Sequence, residues 1–220
     1  MSSPQQIPSD STTPSLPPIR RFLESETGSF LKTIVIIIAA LVFFRGSVLE
    51  PFKIPSGSMI PTLQISDQIL VSKLSYGLRL PFIAHTLYQY DTPKRGDVVV
   101  FTRPDELSTH DDDESSINLI KRVVGLPGEI LEVKDAAVFI NGIALDEPYA
   151  RWSEGGRESF GPVTIPAGHI ILLGDNRDQS KDSRYWEDPF LEISRVKGRA
   201  LVIYWTFDRE FFSRLGKIIR

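Results

Sequence analysis

The chain has 220 residues, a net charge of −3 and no cysteine. That length suits about one domain with its own core. The charge balance gives no nucleic-acid surface, and the missing thiols exclude disulfides, thiol catalysis and Cys-type zinc sites.

Residues 1–18 are rich in Pro, Ser, Thr and Gln and read as a disordered tail, extended here to 1–27, because they bury too little apolar surface to offset ordering entropy. Thr33 to Phe44 carries no charge; as a helix it rises about 18 Å, short of a hydrocarbon core of about 30 Å. Extension to 28–49 reaches span length if Lys32 and Arg45 snorkel toward the interfaces. A buried core helix is the competing reading, but a segment apolar all round with no small-x-small cleavage site after it reads better as an uncleaved anchor. Arg20, Arg21 and Lys32 lean toward a cytoplasmic tail, with residues 50–220 outside.

From residue 64 onward the signals are those of strands. Ile69–Val71, Val98–Phe101, Leu119–Val124, Glu129–Val133, Ala137–Ile140, His169–Leu173 and Arg199–Trp205 are short apolar, β-branched runs separated by turn residues. Lys134-Asp135 lies between two of them, and Asn141-Gly142 is a hairpin signal. The expected fold is all-β: a β domain over 50–210 with a hairpin-rich insert at about 128–168, and a C-terminal tail over 211–220. The run Asp111, Asp112, Asp113, Glu114 reads as a solvated loop.

Four segments carry possible chemistry: Pro55–Leu63 (PSGSMIPTL), Arg95–Phe101 (RGDVVVF), Lys121–Gly128 (KRVVGLPG) and Gly174–Arg184 (GDNRDQSKDSR). Ser58 lies in a Gly/Pro-rich stretch suited to an exposed turn, but a serine hydroxyl needs a base. His85 and His110 fall in expected loops and His169 begins a strand; none has the H-E-x-x-H type of metal spacing. Lys121 is the alternative base, because burial among Leu119, Ile120, Val123 and Val124 disfavours a charged amine. Taken alone, the segment fits a lysine on the polar face of an edge strand better than a buried base. The acidic and basic residues of the fourth segment alone suit turn hydrogen bonds and ion pairs that hold a loop, with Ser180 able to orient the lysine.

In this order, behind an apolar anchor, the four segments resemble the type I signal peptidases (leader peptidases), serine proteases with a Ser–Lys dyad; the resemblance covers roughly residues 45–205. It implies a signal-peptidase-like catalytic β core with a small β-rich cap, preceded by one transmembrane helix. It implies that Ser58 is the nucleophile and Lys121 the general base. Ser56 would be an oxyanion-hole donor, Ser180 would orient Lys121, and Asp182 and Arg184 would form a supporting ion pair. Phe52, Ile54, Met59, Leu63, Leu119 and Ile120 would line the substrate cleft. Gln179 departs from the Asn of many members, which puts any specific hydrogen bond there in doubt. The implied reaction removes signal peptides from exported precursors, cutting after small residues of the Ala-x-Ala type, with no metal or cofactor. Implied partners are the signal peptides, the lipid bilayer and the protein export machinery, with no nucleic acid. The protein would be single-pass in a cell membrane with its catalytic domain on the outer (periplasmic, extracytoplasmic or lumenal) face. Ser58 follows Leu49 by nine positions, about 30 Å of extended chain, which keeps the site near the membrane. Trp205, Phe207, Phe211 and Phe212 suit either the interface or a core. A soluble self-cleaving Ser–Lys regulator is disfavoured by the anchor, and an inactive anchored binding protein by the retention of Ser58, Lys121 and Ser180 together.

Overall fold

The computed structural model describes residues 25–78, 88–102, 118–153, 159–207 and 211–220, with backbone alone for 43–46 and 211. His85, His110 and the acidic run at 111–114 lie outside these residues. The chain divides into two units between Val42 and Phe43.

The first unit holds most of helix α1 (Glu26–Ser47). Ser25 Oγ accepts the Gly28 N–H at 3.1 Å, and Glu26 places a carboxylate in the first turn; both favour a helix start here. Phe30, Leu31, Ile34 to Ile38, Leu41 and Val42 are exposed around the helix rather than along one stripe. Described side chains stop at Val42 and resume at Ser47, and no helix among the described residues is long and apolar enough to cross a membrane.

The second unit is mostly β. Its strands are β1 (Leu49–Lys53), β2 (Gln68–Ser72), β3 (Gly77–Leu78), β4 (Tyr88–Gln89), β5 (Val98–Thr102), β6 (Asn118–Gly125), β7 (Ile130–Lys134), β8 (Ala137–Ile140), β9 (Ile143–Ala144), β10 (Phe160–Thr164), β11 (His169–Leu173), β12 (Leu191–Glu192) and β13 (Val196–Trp205). Seven form one sheet in the order β1-β2-β13-β5-β6-β11-β12. A second sheet, β10-β7-β8-β9, is built from residues 130–164.

Val98 to Phe101 are buried without alternation because apolar clusters cover both faces of β5: Val98 and Val100 join Ile54, Met59 and Leu63, whereas Val99 and Phe101 join Val123, Leu172 and Trp186. In the second sheet the β7–β8 turn is Asp135-Ala136, at φ 50° and 57°, one position later than the expected Lys134-Asp135. The β8–β9 turn is Asn141-Gly142, at φ 51° and 80°. Positive φ at both central residues is the geometry whose twist matches a tight hairpin.

The apolar pattern alone did not announce β1, β3, β4, β10 or β12. β1 contains Glu50 and Pro51, tolerated because it is an edge strand; β10 contains Gly161 and Pro162 at a register shift, also at an edge. Residues 211–220, expected as a tail, are packed. They form α2 (Phe211–Arg214) and bury Arg214 and Ile219 at 4% exposure each, and Ile219 N–H donates to Leu201 O.

Candidate active site

Ser58 lies in the turns that join β1 to β2. Ile60 N–H donates to Gly57 O and Leu63 N–H to Met59 O, while the Met59 and Leu63 side chains are fully buried in the core. These two anchors after the serine, with buried Ile54 before it, hold the loop against the main sheet. Lys121 projects from β6, whose neighbours β5 and β11 are both paired. A hydrogen bond of 2.8 Å joins Lys121 Nζ and Ser58 Oγ, and Nζ donates to Ile120 O at 3.0 Å. Lys121 is 5% exposed and Ser58 8%. An amine within hydrogen-bond reach of a hydroxyl, both shielded from water, is the arrangement a general base and nucleophile require.

The segment after β11 closes on this pair. Asn176 N–H donates to Ser58 O at 3.1 Å, and its side-chain Nδ2 donates to Gly57 O at 3.1 Å and Gln179 Oε1 at 3.3 Å. The Gln179 amide therefore has a bond despite its extra methylene. Gly174 is pressed between the two parts: a Cβ there would lie 2.6 Å from Ser58 O and collide with Ser180 Oγ. Asp182 is fully buried and accepts from Gly174 N at 2.9 Å and from Arg184 Nε at 2.8 Å. Burial opposes the Arg184 charge, but the hydrogen bond and charge of Asp182 prevail and hold the guanidinium above its usual value.

The other expected residues are placed less uniformly. Ser180 is 4% exposed, but its Oγ has no hydrogen-bond partner among the described residues, whereas the resemblance implied a bond to Lys121. The lysine amine is directed instead to Ser58 Oγ and Ile120 O. Ser56 is exposed. Phe52, Ile54, Met59, Leu63 and Ile120 share one apolar cluster, but Ile54, Met59 and Leu63 are core residues with almost no surface; Phe52 is half-buried, and Leu119 packs against a different cluster. His169 is half-buried with Nδ1 2.9 Å from Ala167 O. Among the described residues no group of acidic or histidine side chains could hold a metal.

Sequence reasoning expected ion pairs in the Gly174–Arg184 loop but missed the partners that make them an ionic frame beneath the site. Arg122, next to Lys121, is fully buried and meets Asp175 in two bonds, Nε–Oδ1 at 2.8 Å and Nη2–Oδ2 at 2.6 Å; it also donates to Gly96 O and lies 3.8 Å over the Tyr149 ring. Thr62 Oγ1 donates to Asp175 Oδ2 at 2.5 Å. Arg177 forms a matching pair with Glu147 at 2.7 and 2.6 Å. Burial first, then the Glu147 carboxylate, raises the Tyr149 phenol above its ordinary pKa. The signal available was the adjacency of a second cation to Lys121 and of two acids within Gly174–Asp178.

The model of the family described as "Signal peptidase, peptidase S26" matches residues 27–205. The chain is 38% identical to the signal peptidase I of Pseudomonas aeruginosa, over 84% of this chain and 74% of that one. It is 34% identical to the signal peptidase I of Leptolyngbya laminosa, over 91% and 93%. A solved signal peptidase I from Enterococcus faecalis aligns at 30% identity and a TM-score of 0.40, covering 50% of this chain and 98% of that one.

Proposed function

The chain belongs to the signal peptidase family, peptidase S26, and from that premise we propose that it is a serine endopeptidase that removes signal peptides from exported precursors, with Ser58 as nucleophile and Lys121 as general base. The observation that carries the assignment of roles is the 2.8 Å contact between the two buried groups. Burial disfavours an ammonium ion, which favours a neutral amine able to accept the Ser58 proton.

The hydroxyl oxygen attacks the scissile carbonyl as its proton passes to Lys121 Nζ. The ammonium then gives that proton to the leaving amine, freeing the mature protein and leaving the signal peptide esterified to Ser58. Lys121 next deprotonates a water, which attacks the ester and regenerates the hydroxyl. The Ser58 backbone N–H and the Ser56 hydroxyl serve the oxyanion; Ser56 is exposed and free to turn toward it, and one such donor contributes about 3 kcal/mol. Ser180 is the buried hydroxyl, unpartnered among the described residues, available to hold the amine once Ser58 is acylated. Phe52, Leu119 and Ile120 keep some surface for contact with small residues before the cut, while Ile54, Met59 and Leu63 back Phe52 and Ile120 from the core. Exclusion of bulk must supply much of the selectivity, because a methylene is worth only about 1–3 kcal/mol.

Single-pass anchoring by α1, with the second unit on the outer face of the membrane, completes the proposal. It is supported by apolar side chains exposed around α1 and by exposed Trp205, Phe207 and Phe212. The substrates are signal peptides of exported precursors, with lipid bilayer and export machinery as surroundings. The decisive experiment is cleavage of an Ala-x-Ala precursor by the full chain in lipid vesicles. Cutting after the small residue, lost in both Ser58→Ala and Lys121→Ala, supports the dyad. Full activity in Lys121→Ala overturns it.

A further inference from the structure

Arg214 is a buried cation far along the chain from the dyad. Its guanidinium is paired with Asp67, which is fully buried: Nε lies 3.1 Å from Oδ1, and Nη2 bonds Oδ2. Asp67 Oδ2 also accepts Gln64 N–H at 2.8 Å. Arg214 Nη2 reaches on to Thr62 O at 3.3 Å. The hydroxyl of the same Thr62 donates to Asp175, which grips Arg122 beside Lys121. Two buried ion pairs therefore meet at Thr62, four residues after Ser58, one through its backbone and the other through its side chain.

The C-terminal segment is held in place independently of this pair. Ile219 sits in the core, its N–H donates to Leu201 O, and Ile203 N–H donates to Lys217 O. The segment is thus anchored on β13 and can hold Arg214 in a fixed position. A surface ion pair would contribute little to geometry, but a buried, two-pronged pair tolerates little displacement.

We infer that Arg214 is a positioning residue: through Asp67 and Thr62 it sets the distance of the serine-bearing loop from the lysine-bearing strand. This rests on the Ser58–Lys121 assignment and adds to it a remote determinant of rate. A misplacement of about 1 Å from a distant change can cost about 100-fold in rate.

The test uses the full chain in lipid vesicles with a signal-peptide-bearing precursor. Three variants are compared with wild type: Arg214→Lys, Arg214→Met and the double variant Asp67→Asn/Arg214→Met, which leaves no buried charge unpaired. Thermal melting, kcat and KM are measured for each, with Ser58→Ala and Lys121→Ala alongside. The expected result is a folded double variant whose kcat falls about 100-fold while KM stays within about threefold, with Arg214→Lys between it and wild type. A folded double variant with wild-type kcat overturns the inference, as does a rise in KM with kcat kept. Unfolding of all three variants also overturns it, since the role is then in the fold alone. If Ser58→Ala or Lys121→Ala still cuts, the dyad assignment itself falls, and this inference with it.

Discussion

Arg122 and Asp175 meet in a two-pronged ion pair in which neither side chain has any exposed surface. Arg122 is the neighbour of Lys121 on β6, and Asp175 is the neighbour of Asn176, which holds Ser58 O. The pair therefore fastens the strand of the base to the loop that grips the nucleophile. Removing one partner leaves a buried charge uncompensated, so Asp175→Asn and Arg122→Met should each cost about 3–5 kcal/mol of stability. Urea unfolding of the single variants and of the double variant checks this, and the double should be less destabilised than the sum of the two singles.

Lys121→Arg keeps a cation but not a base, because guanidinium does not deprotonate near neutral pH. Precursor cleavage should fall by about 100-fold to 10,000-fold, the range for loss of a general base, at every pH from 6 to about 10. Recovery of activity at the alkaline end would contradict the role given to Lys121.

Gly174→Ala should impair both folding and rate, since the added methyl meets Ser58 O at 2.6 Å as well as the Ser180 side chain. Overpacking of this kind costs about 1–3 kcal/mol. Thermal melting reads the first effect and single-turnover cleavage the second. An unperturbed Ala variant would mean that the loop yields without moving the serine.

Ser180→Ala separates two roles of one hydroxyl. Its Oγ is buried without a partner among the described residues, so removing it should leave stability unchanged or slightly raised. A drop in kcat with unchanged melting would place the hydroxyl in the reacting complex. Wild-type kcat would assign Ser180 to packing against Gly174 alone.

Stability should decline in alkali. Burial first, then Asp97, raises the Tyr76 phenol, and Tyr149 is raised in the same direction. A folded pKa above the unfolded value gives stability that is complete below the unfolded value of about 10 and lost as pH rises through the folded one. Melting temperature measured from pH 8 to 12 should fall above about pH 10, and less steeply in Tyr76→Phe.

The strands of the main sheet were legible because β-branched runs such as Val98–Phe101 and Leu119–Val124 lie between turn residues. The pairing of Ser58 with Lys121 was less directly legible, because the two are far apart in sequence: residue chemistry made Lys121 a candidate base, and the motif order suggested that they meet. Arg122, Thr62 and Arg214 escaped notice for a related reason: a buried charge looks in sequence like a surface charge until its partner is found. Ile54, Met59 and Leu63 show the converse difficulty: in sequence, an apolar residue that lines a cleft looks the same as one buried beneath it, as these three are.

The position of β13 bears on when the protein becomes active. The strand lies between β2 and β5, so within the sheet it joins the β1–β2 pair, which flanks Ser58, to the β5–β6 pair, which carries Lys121. During synthesis both pairs leave the ribosome long before β13 does. A nascent chain halted before residue 196 holds both reactive groups without the strand that completes the sheet between them. A chain truncated before residue 196 should therefore fail to cleave a precursor although it keeps Ser58 and Lys121, and restoring residues 196–220 should restore cleavage.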